Sequence, residues 1–363
     1  MAQEEFEKLP EEGQEKKKKK SGCLIALIVA LVLVLVLLIA AALGMNYVFG
    51  KLGRFENPVP GETIAMIPEE TETDPVENVE GLESVDASDV VFESVDVIEG
   101  DVVNIMLIGQ DRRPGEERAR SDSMILVTFN KEKKTITMTS FMRDLYVKIP
   151  GGYLDNRINT SYSLGGIELL NQTLFENFGV VVDATVEVDF GQFRNIIDLL
   201  GGVEIELDEA EARYINKKMN TRDVEPGVQI LNGKQALWYA RNRSTGGTSD
   251  FGRTNRQRTV LNALIEAYKN KPLTEMIGLL DDILPLVTTD LTQGEVLDYV
   301  IALFPMFSEC EIITQQIPVQ GGFYDATIRG MQVLVPYMDI NRQALIDSLT
   351  NSETIEETTA PIQ

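Results

Sequence analysis

Histidine is absent from all 363 residues. That absence removes Ser-His-Asp and Cys-His nucleophilic machinery, imidazole acid–base chemistry and most zinc sites together. The two cysteines, Cys23 and Cys310, stand at opposite ends of the chain, one at the edge of an apolar segment and one before a strand-like run. Neither a disulfide framework nor a metal cluster follows from them. Basic residues are scarce relative to acidic ones, 33 Lys and Arg against 57 Asp and Glu, for a net charge of −24. Nucleic acid is bound through a basic footprint, so this balance argues against it as a partner.

The acidic excess is local. Fifteen Asp and Glu lie between Glu56 and Asp101 with no Lys or Arg among them, and the stretch is proline-punctuated and poor in aromatics. Such a composition cannot bury enough surface to fold alone. Before it runs one long uncharged segment, Leu24 to Met45, preceded by Lys16 to Lys20. Its length at 1.5 Å per residue matches a hydrocarbon core of about 30 Å. It exceeds the apolar run of a cleavable signal peptide, about 7 to 15 residues, so Ala40-Ala41-Ala42 is not read as a cleavage site. Cys23 precedes the run, the wrong order for a lipoprotein signal. The positive-inside rule then gives a cytoplasmic tail over 1–22, a transmembrane helix over 23–46 and everything later outside the cell membrane. An acidic, largely disordered stalk follows over 47–98, then a folded domain over 99–350 and a flexible tail over 351–363.

Within the folded part, strand-like and helix-like segments alternate, predicting an α/β domain with a single mixed, antiparallel-containing central sheet flanked by helices. Strands are expected at Val102 to Ile108, Met124 to Phe129 and Thr135 to Ser140, the last two joined in a hairpin by the polar turn 130–134. Further strands are expected at Thr185 to Val188, Val203 to Leu207, Glu311 to Gln316 and Tyr324 to Val335. Helices are expected at Ile167 to Phe178, Gln192 to Leu200, Gly233 to Ala240, Thr254 to Tyr268, Pro272 to Leu284, Gln293 to Phe304 and Asn341 to Leu349.

If the first two strands are antiparallel neighbours, the end of one and the start of the next share a sheet edge, which brings Asp111 and Asp122 together. Two carboxylates with no lysine between them suit Mg²⁺. Singly, each is equally a turn or cap residue. The third strand returns Arg143-Asp144 to the same edge. Ten of the seventeen arginines fall in two windows, one holding Arg112, Arg113, Arg118, Arg120 and Arg143, the other Arg241, Arg243, Arg253, Arg256 and Arg258 with Asp250 among them. Like charges so close repel unless an anion lies between them, and the guanidinium fork suits phosphate. Arg253 and Arg256 flank the predicted start of a long helix, whose N-terminus also favours an anion. A solvated salt-bridge network is the competing account of such loops. Asn159 and Tyr162, in RINTSY, either face the site or cap and pack the next helix. Carboxylates for a metal and arginines for a diphosphate together form the electrostatic apparatus of phosphoryl transfer.

From Asn104 to about Ala267 the motifs NIMLIGQD, RSDSMILVTF, SFMRDLYVKIPG, INTSYSLGG, DLLGGVEIEL, LNGKQALWYARNR and SDFGRTNRQR resemble the LytR-CpsA-Psr proteins of bacterial cell envelopes. The resemblance implies an enzyme that moves a glycopolymer, such as teichoic acid or capsule, from a polyprenyl diphosphate carrier to a peptidoglycan hydroxyl. It implies Mg²⁺ on Asp111 and Asp122, and a diphosphate held by Arg143, Arg241, Arg243 and Arg253. Asp250 would orient an arginine or assist the acceptor hydroxyl, with Arg120, Asn159, Arg256 and Gln257 as further substrate contacts. It also implies a groove for the prenyl chain along Ile196, Ile197, Leu200, Leu261 and Leu264, residues equally explained as core. SFMRD stands where SIPRD is usual, a departure that removes no charge. The rival readings are a pyrophosphatase that passes the lipid diphosphate to water and a non-catalytic lipid or glycan receptor.

Overall fold

The computed structural model describes residues 53–54, 82–110, 121–245, 249–268, 282–292 and 309–350, with single positions elsewhere between 272 and 306. The apolar run at 24–45 and the tails predicted for 1–22 and 351–363 lie outside the described residues. Among those described, no helix is long and apolar enough to cross a membrane.

The strands are β1 (Gly53–Arg54), β2 (Val102–Gln110), β3 (Ser121–Asn130), β4 (Thr135–Phe141), β5 (Tyr146–Val147), β6 (Asn156–Arg157), β7 (Ala184–Asp189), β8 (Val203–Leu207), β9 (Gly227–Leu231), β10 (Thr288–Thr289), β11 (Glu311–Ile317), β12 (Phe323–Ile328) and β13 (Met331–Pro336). The helices are α1 (Ile158–Phe178), α2 (Phe190–Leu199), α3 (Glu209–Met219), α4 (Gly233–Ala240), α5 (Ser249–Tyr268) and α6 (Met338–Leu349). Seven strands form a mixed sheet in the order β1-β10-β7-β2-β3-β4-β11. Its centre is the antiparallel meander β2-β3-β4, with β7 added parallel to β2 and β11 parallel to β4.

The pleat sends alternate side chains to opposite faces. On one face Met106, Ile108, Met124 and Leu126 pack against Tyr162, Leu170, Leu174 and Phe178 of α1 and Leu345 and Leu349 of α6. On the other, Ile125, Val127, Phe129, Ile136 and Met138 pack against Leu261 and Ile265 of α5. Helices on both faces bury the middle strands from both sides, which is why β4 is buried at every residue. A separate cluster joins the β8-β9 hairpin to α2, α3, α4 and α5 through Ile197, Ile205, Ile215, Leu231, Ala236 and Val260.

The β3-β4 hairpin and the helix at Gly233–Ala240 stand where the pattern placed them. Other expectations change. Helix α1 begins nine residues before the predicted start, and the cause of the short reading is an interruption at Gly165 and Gly166, where the backbone leaves helical values. Helix α5 begins at Ser249, so Asp250 and Arg253 belong to its first turns rather than to a preceding loop. The predicted strand over 324–335 is a hairpin, β12-β13, reversed at Arg329 and Gly330, both with positive φ. Helix α3 and strand β9 were not anticipated. The helices predicted over 272–284 and 293–304 lie largely outside the described residues.

The expected stalk over 47–98 ends earlier than its composition suggests. Val85, Ala87, Val90 and Phe92 pack on the β12-β13 cluster around Tyr146, and the Phe92 and Tyr146 rings lie 6.1 Å apart. The amide of Ile98 donates to the carbonyl of Gly179 at 2.9 Å. These acidic residues fold because the domain supplies the apolar surface they lack.

Candidate functional site

The β2-β3 register ends with Gly109 opposite Ser123 and Gln110 opposite Ser121, leaving Asp122 as the extra residue of a bulge. A bulge bends its strand and re-aims local side chains, and such features recur beside active sites. Asp111 is the next residue after Gln110 in the sequence, and two carboxylates are a donor set that Mg²⁺ takes. Asp111, Arg120 and the side chain of Asp122 lie outside the described residues. Among those described, no three or more His, Cys, Asp or Glu gather to hold a metal.

Strand β4 delivers Arg143 to this same edge, since Ile125 pairs with Ser140 and the two strands run antiparallel. There the second arginine window meets it. Asp250 accepts from Nη2 of Arg253 at 2.8 Å, and its other oxygen lies 3.7 Å from Nε of Arg143 and 3.8 Å from Nε of Arg243. Arg253 is almost wholly buried. One carboxylate thus gathers Arg253 from its own helix, Arg243 from the segment just before that helix and Arg143 from beyond β4, far away in sequence. Asp144 extends the network, lying 3.4 Å from Nε of Arg143 and 3.2 Å from Nη1 of Arg157, the residue before α1.

Arg241 reaches the edge by another route. Its guanidinium stacks 4.3 Å from the ring centre of Phe190 and 5.5 Å from that of Trp238, a favourable cation–π geometry. Phe190 follows Asp189, the residue opposite Gln110 in the parallel β2-β7 pair.

Arg256 is placed differently. Buried, it donates from Nε to Glu211 at 2.7 Å, from Nη1 to the Asn242 carbonyl at 3.1 Å, and from Nη2 to the carbonyl and hydroxyl of Thr245 at 2.8 and 2.7 Å. Four donor interactions go to the protein itself, and they hold the loop that carries Arg241 and Arg243 against α5. Gln257 keeps a buried Oε1 with no hydrogen-bond partner. Asn159 is buried in the first turn of α1, its amide 3.5 Å from the Arg143 carbonyl, and its Oδ1 is likewise without a partner. Of the expected groove residues, Ile197 and Leu264 belong to the helical cluster and Leu261 to the sheet face.

Behind the edge lies a polar floor that motif reading passed over. Glu187 is buried and accepts from Gln110 Nε2 and the Tyr162 hydroxyl. Ser121, fully buried, leaves its hydroxyl without a partner. The signal for Glu187 was a lone carboxylate inside the otherwise apolar ATVEV run.

Arginines from both sequence windows thus meet one carboxylate at the edge of a mixed sheet, an arrangement able to take an anion. The chain belongs to the LytR_cpsA_psr family, whose model matches residues 70–345. It is 34% identical over 252 residues to the polyisoprenyl-teichoic acid–peptidoglycan teichoic acid transferase TagT of Bacillus subtilis, covering 68% of this chain and 74% of that protein. It is 33% identical over 207 residues to the transferase TagU of Bacillus cereus, covering 57% of this chain and 66% of the relative, just under two thirds of its length. The fold matches a solved structure described as LytR-CPS2A-psr family protein YwtF (TagT) with bound octaprenyl pyrophosphate lipid, with a TM-score of 0.53 and 26% identity over 76% of this chain and 99% of that one.

Proposed function

We propose that this protein transfers a glycopolymer from a polyprenyl diphosphate carrier to a hydroxyl of peptidoglycan, at the outer face of the membrane that its apolar segment 24–45 spans. The observation that carries the reading is the meeting of Arg143, Arg243 and Arg253 on Asp250. The names of the relatives and the octaprenyl pyrophosphate in one of them support the substrate class.

An acceptor hydroxyl attacks the sugar-bearing phosphorus, the bond from that phosphorus to the bridging oxygen breaks, and its electron pair leaves on polyprenyl phosphate. The hydroxyl proton is lost to water. Arg143, Arg241, Arg243 and Arg253, with Arg120 as a further candidate, hold the diphosphate and stabilise charge as it develops on the oxygens. Asp250 orients three of these forks, which spares the site the cost of ordering them when substrate arrives. Arg256 acts at one remove, fixing the loop of Arg241 and Arg243, while Gln257 and Asn159 offer polar atoms to the substrate. Asp111 and Asp122 would hold Mg²⁺, which when bound neutralises charge on the phosphate oxygens.

The test is transfer of a prenyl-diphosphate-linked oligosaccharide to peptidoglycan, followed by product analysis. The wild type is expected to form the linked product, and Arg143→Ala to lose about 100-fold or more in rate. Release of lipid phosphate that is independent of peptidoglycan replaces the reading with a pyrophosphatase. Unchanged polymer attachment in Arg143→Ala and Asp111→Ala replaces it with a non-catalytic receptor.

A further inference from the structure

Arg258 is absent from the motif roles above, yet among the described arginines it is the one whose surroundings least account for it. It is buried to 6% exposure. Its Nε and Nη1 have no hydrogen-bond partner, and Nη2 has only a long contact of 3.4 Å to Asn255 Oδ1 on its own helix. Among the described residues no carboxylate pairs with it, and burial pushes the guanidinium down to about 10. A buried arginine with idle donors costs stability unless something supplies the missing acceptors.

Its location follows from two elements that run inward from one point. Asp250 on α5 and Arg143 just beyond β4 are joined by the 3.7 Å contact. From there the helix advances about 1.5 Å per residue and the strand about 3.3 Å. Leu261 and Met138 pack in the same cluster, and both lie roughly 16 Å from that start by those rises. At about 12 Å along the helix comes Arg258, and at about 10 Å along the strand comes Ser140. Arg258 is three and seven residues before Leu261 and Ile265, so it shares their stripe toward the sheet. Ser140 is two residues beyond Met138 and shares its face. The Ser140 hydroxyl is also buried, at 1% exposure, and also lacks a partner. Helical side chains lean toward the helix N-terminus, which carries the Arg258 guanidinium back toward the charged cluster.

We propose that Arg258 and Ser140 form the inner end of the anion site and hold the phosphate that stays on the lipid. This deepens the transferase reading and rests on it. The order along the stripe fits an anion with a hydrocarbon tail, with the Asp250 network first, Arg258 and Ser140 next, then Leu261 and Ile265 against Ile125, Val127 and Met138. In the transfer step the departing electron pair stays on an oxygen of that lipid phosphate, and Arg258 stabilises the added negative charge by donating hydrogen bonds.

The experiment measures binding of geranylgeranyl diphosphate, geranylgeranyl monophosphate and geranylgeraniol to the full chain in detergent micelles. Arg258→Met should weaken both phosphates about tenfold or more and leave the alcohol unchanged, with Arg258→Lys recovering part of the loss. Wild-type affinity of Arg258→Met for both phosphates, while Arg143→Ala loses the diphosphate, overturns this proposal alone. Should Arg258→Met not accumulate as folded protein, Ser140→Ala carries the test, and unchanged monophosphate affinity in it overturns the proposal. A wild-type chain that binds none of the three overturns the transferase reading together with this one.

Discussion

Arginine does two kinds of work in this protein, and the difference lies in what surrounds each guanidinium. Arg143 and Arg243 stand about an ion-pair length from Asp250, at 3.7 and 3.8 Å, close enough to be oriented by it, and both side chains keep some exposure. Arg256 instead has Glu211 and two residues of the 242–245 loop around its fork. A buried pair of this kind contributes little over an apolar one, but removing one partner strands the other's charge. Glu211→Ala should therefore lower unfolding stability by about 3–5 kcal/mol, read from a urea transition with an unchanged slope. A loss under about 1 kcal/mol, the range of an exposed pair, would show that solvent screens it. Composition could count these arginines and place them in two windows. It could not sort them, because Arg253 and Arg256 differ by three residues in sequence and wholly in partners.

Among the elements, α1 carries the clearest tension between local preference and fold. Gly165 and Gly166 interrupt a 21-residue helix, and Gly166 takes φ 64° with ψ −150°, a region essentially closed to residues with a Cβ. The break lets the first turns, with Asn159 and Tyr162, lie against the sheet edge while Leu170, Leu174 and Phe178 stay in the core. Gly166→Ala should cost about 1–3 kcal/mol and, by shifting Tyr162 off Glu187, lower transfer rate along with thermal stability. A stable variant of full activity would remove the kink from the site's design. The pattern saw the second half of this helix by its leucine spacing and lost the first half to the glycines. Helix α5 was shortened for the opposite reason, its first turns being polar and charged, so no apolar stripe announced them.

For the whole molecule, the boundary between acidic linker and folded domain is set by contacts that lie far apart in sequence. Removing residues up to 98 should strip Val85, Ala87, Val90 and Phe92 from the Tyr146 cluster. At about 1.5–3 kcal/mol for a large buried side chain, the loss should lower the melting temperature by several degrees relative to a chain beginning at Leu82. Equal melting temperatures would return these residues to the stalk. Legible in the sequence alone were the α/β alternation, the β3-β4 hairpin and the family resemblance, because each is written in local periodicity or in residue type. Only the tertiary structure decided that Asp250 gathers Arg143, Arg243 and Arg253, that Arg256 is committed to Glu211, and that Arg258 is buried with donors to spare. Those outcomes depend on which distant segments the sheet brings within a few ångströms, where burial and partner geometry set what a charge does.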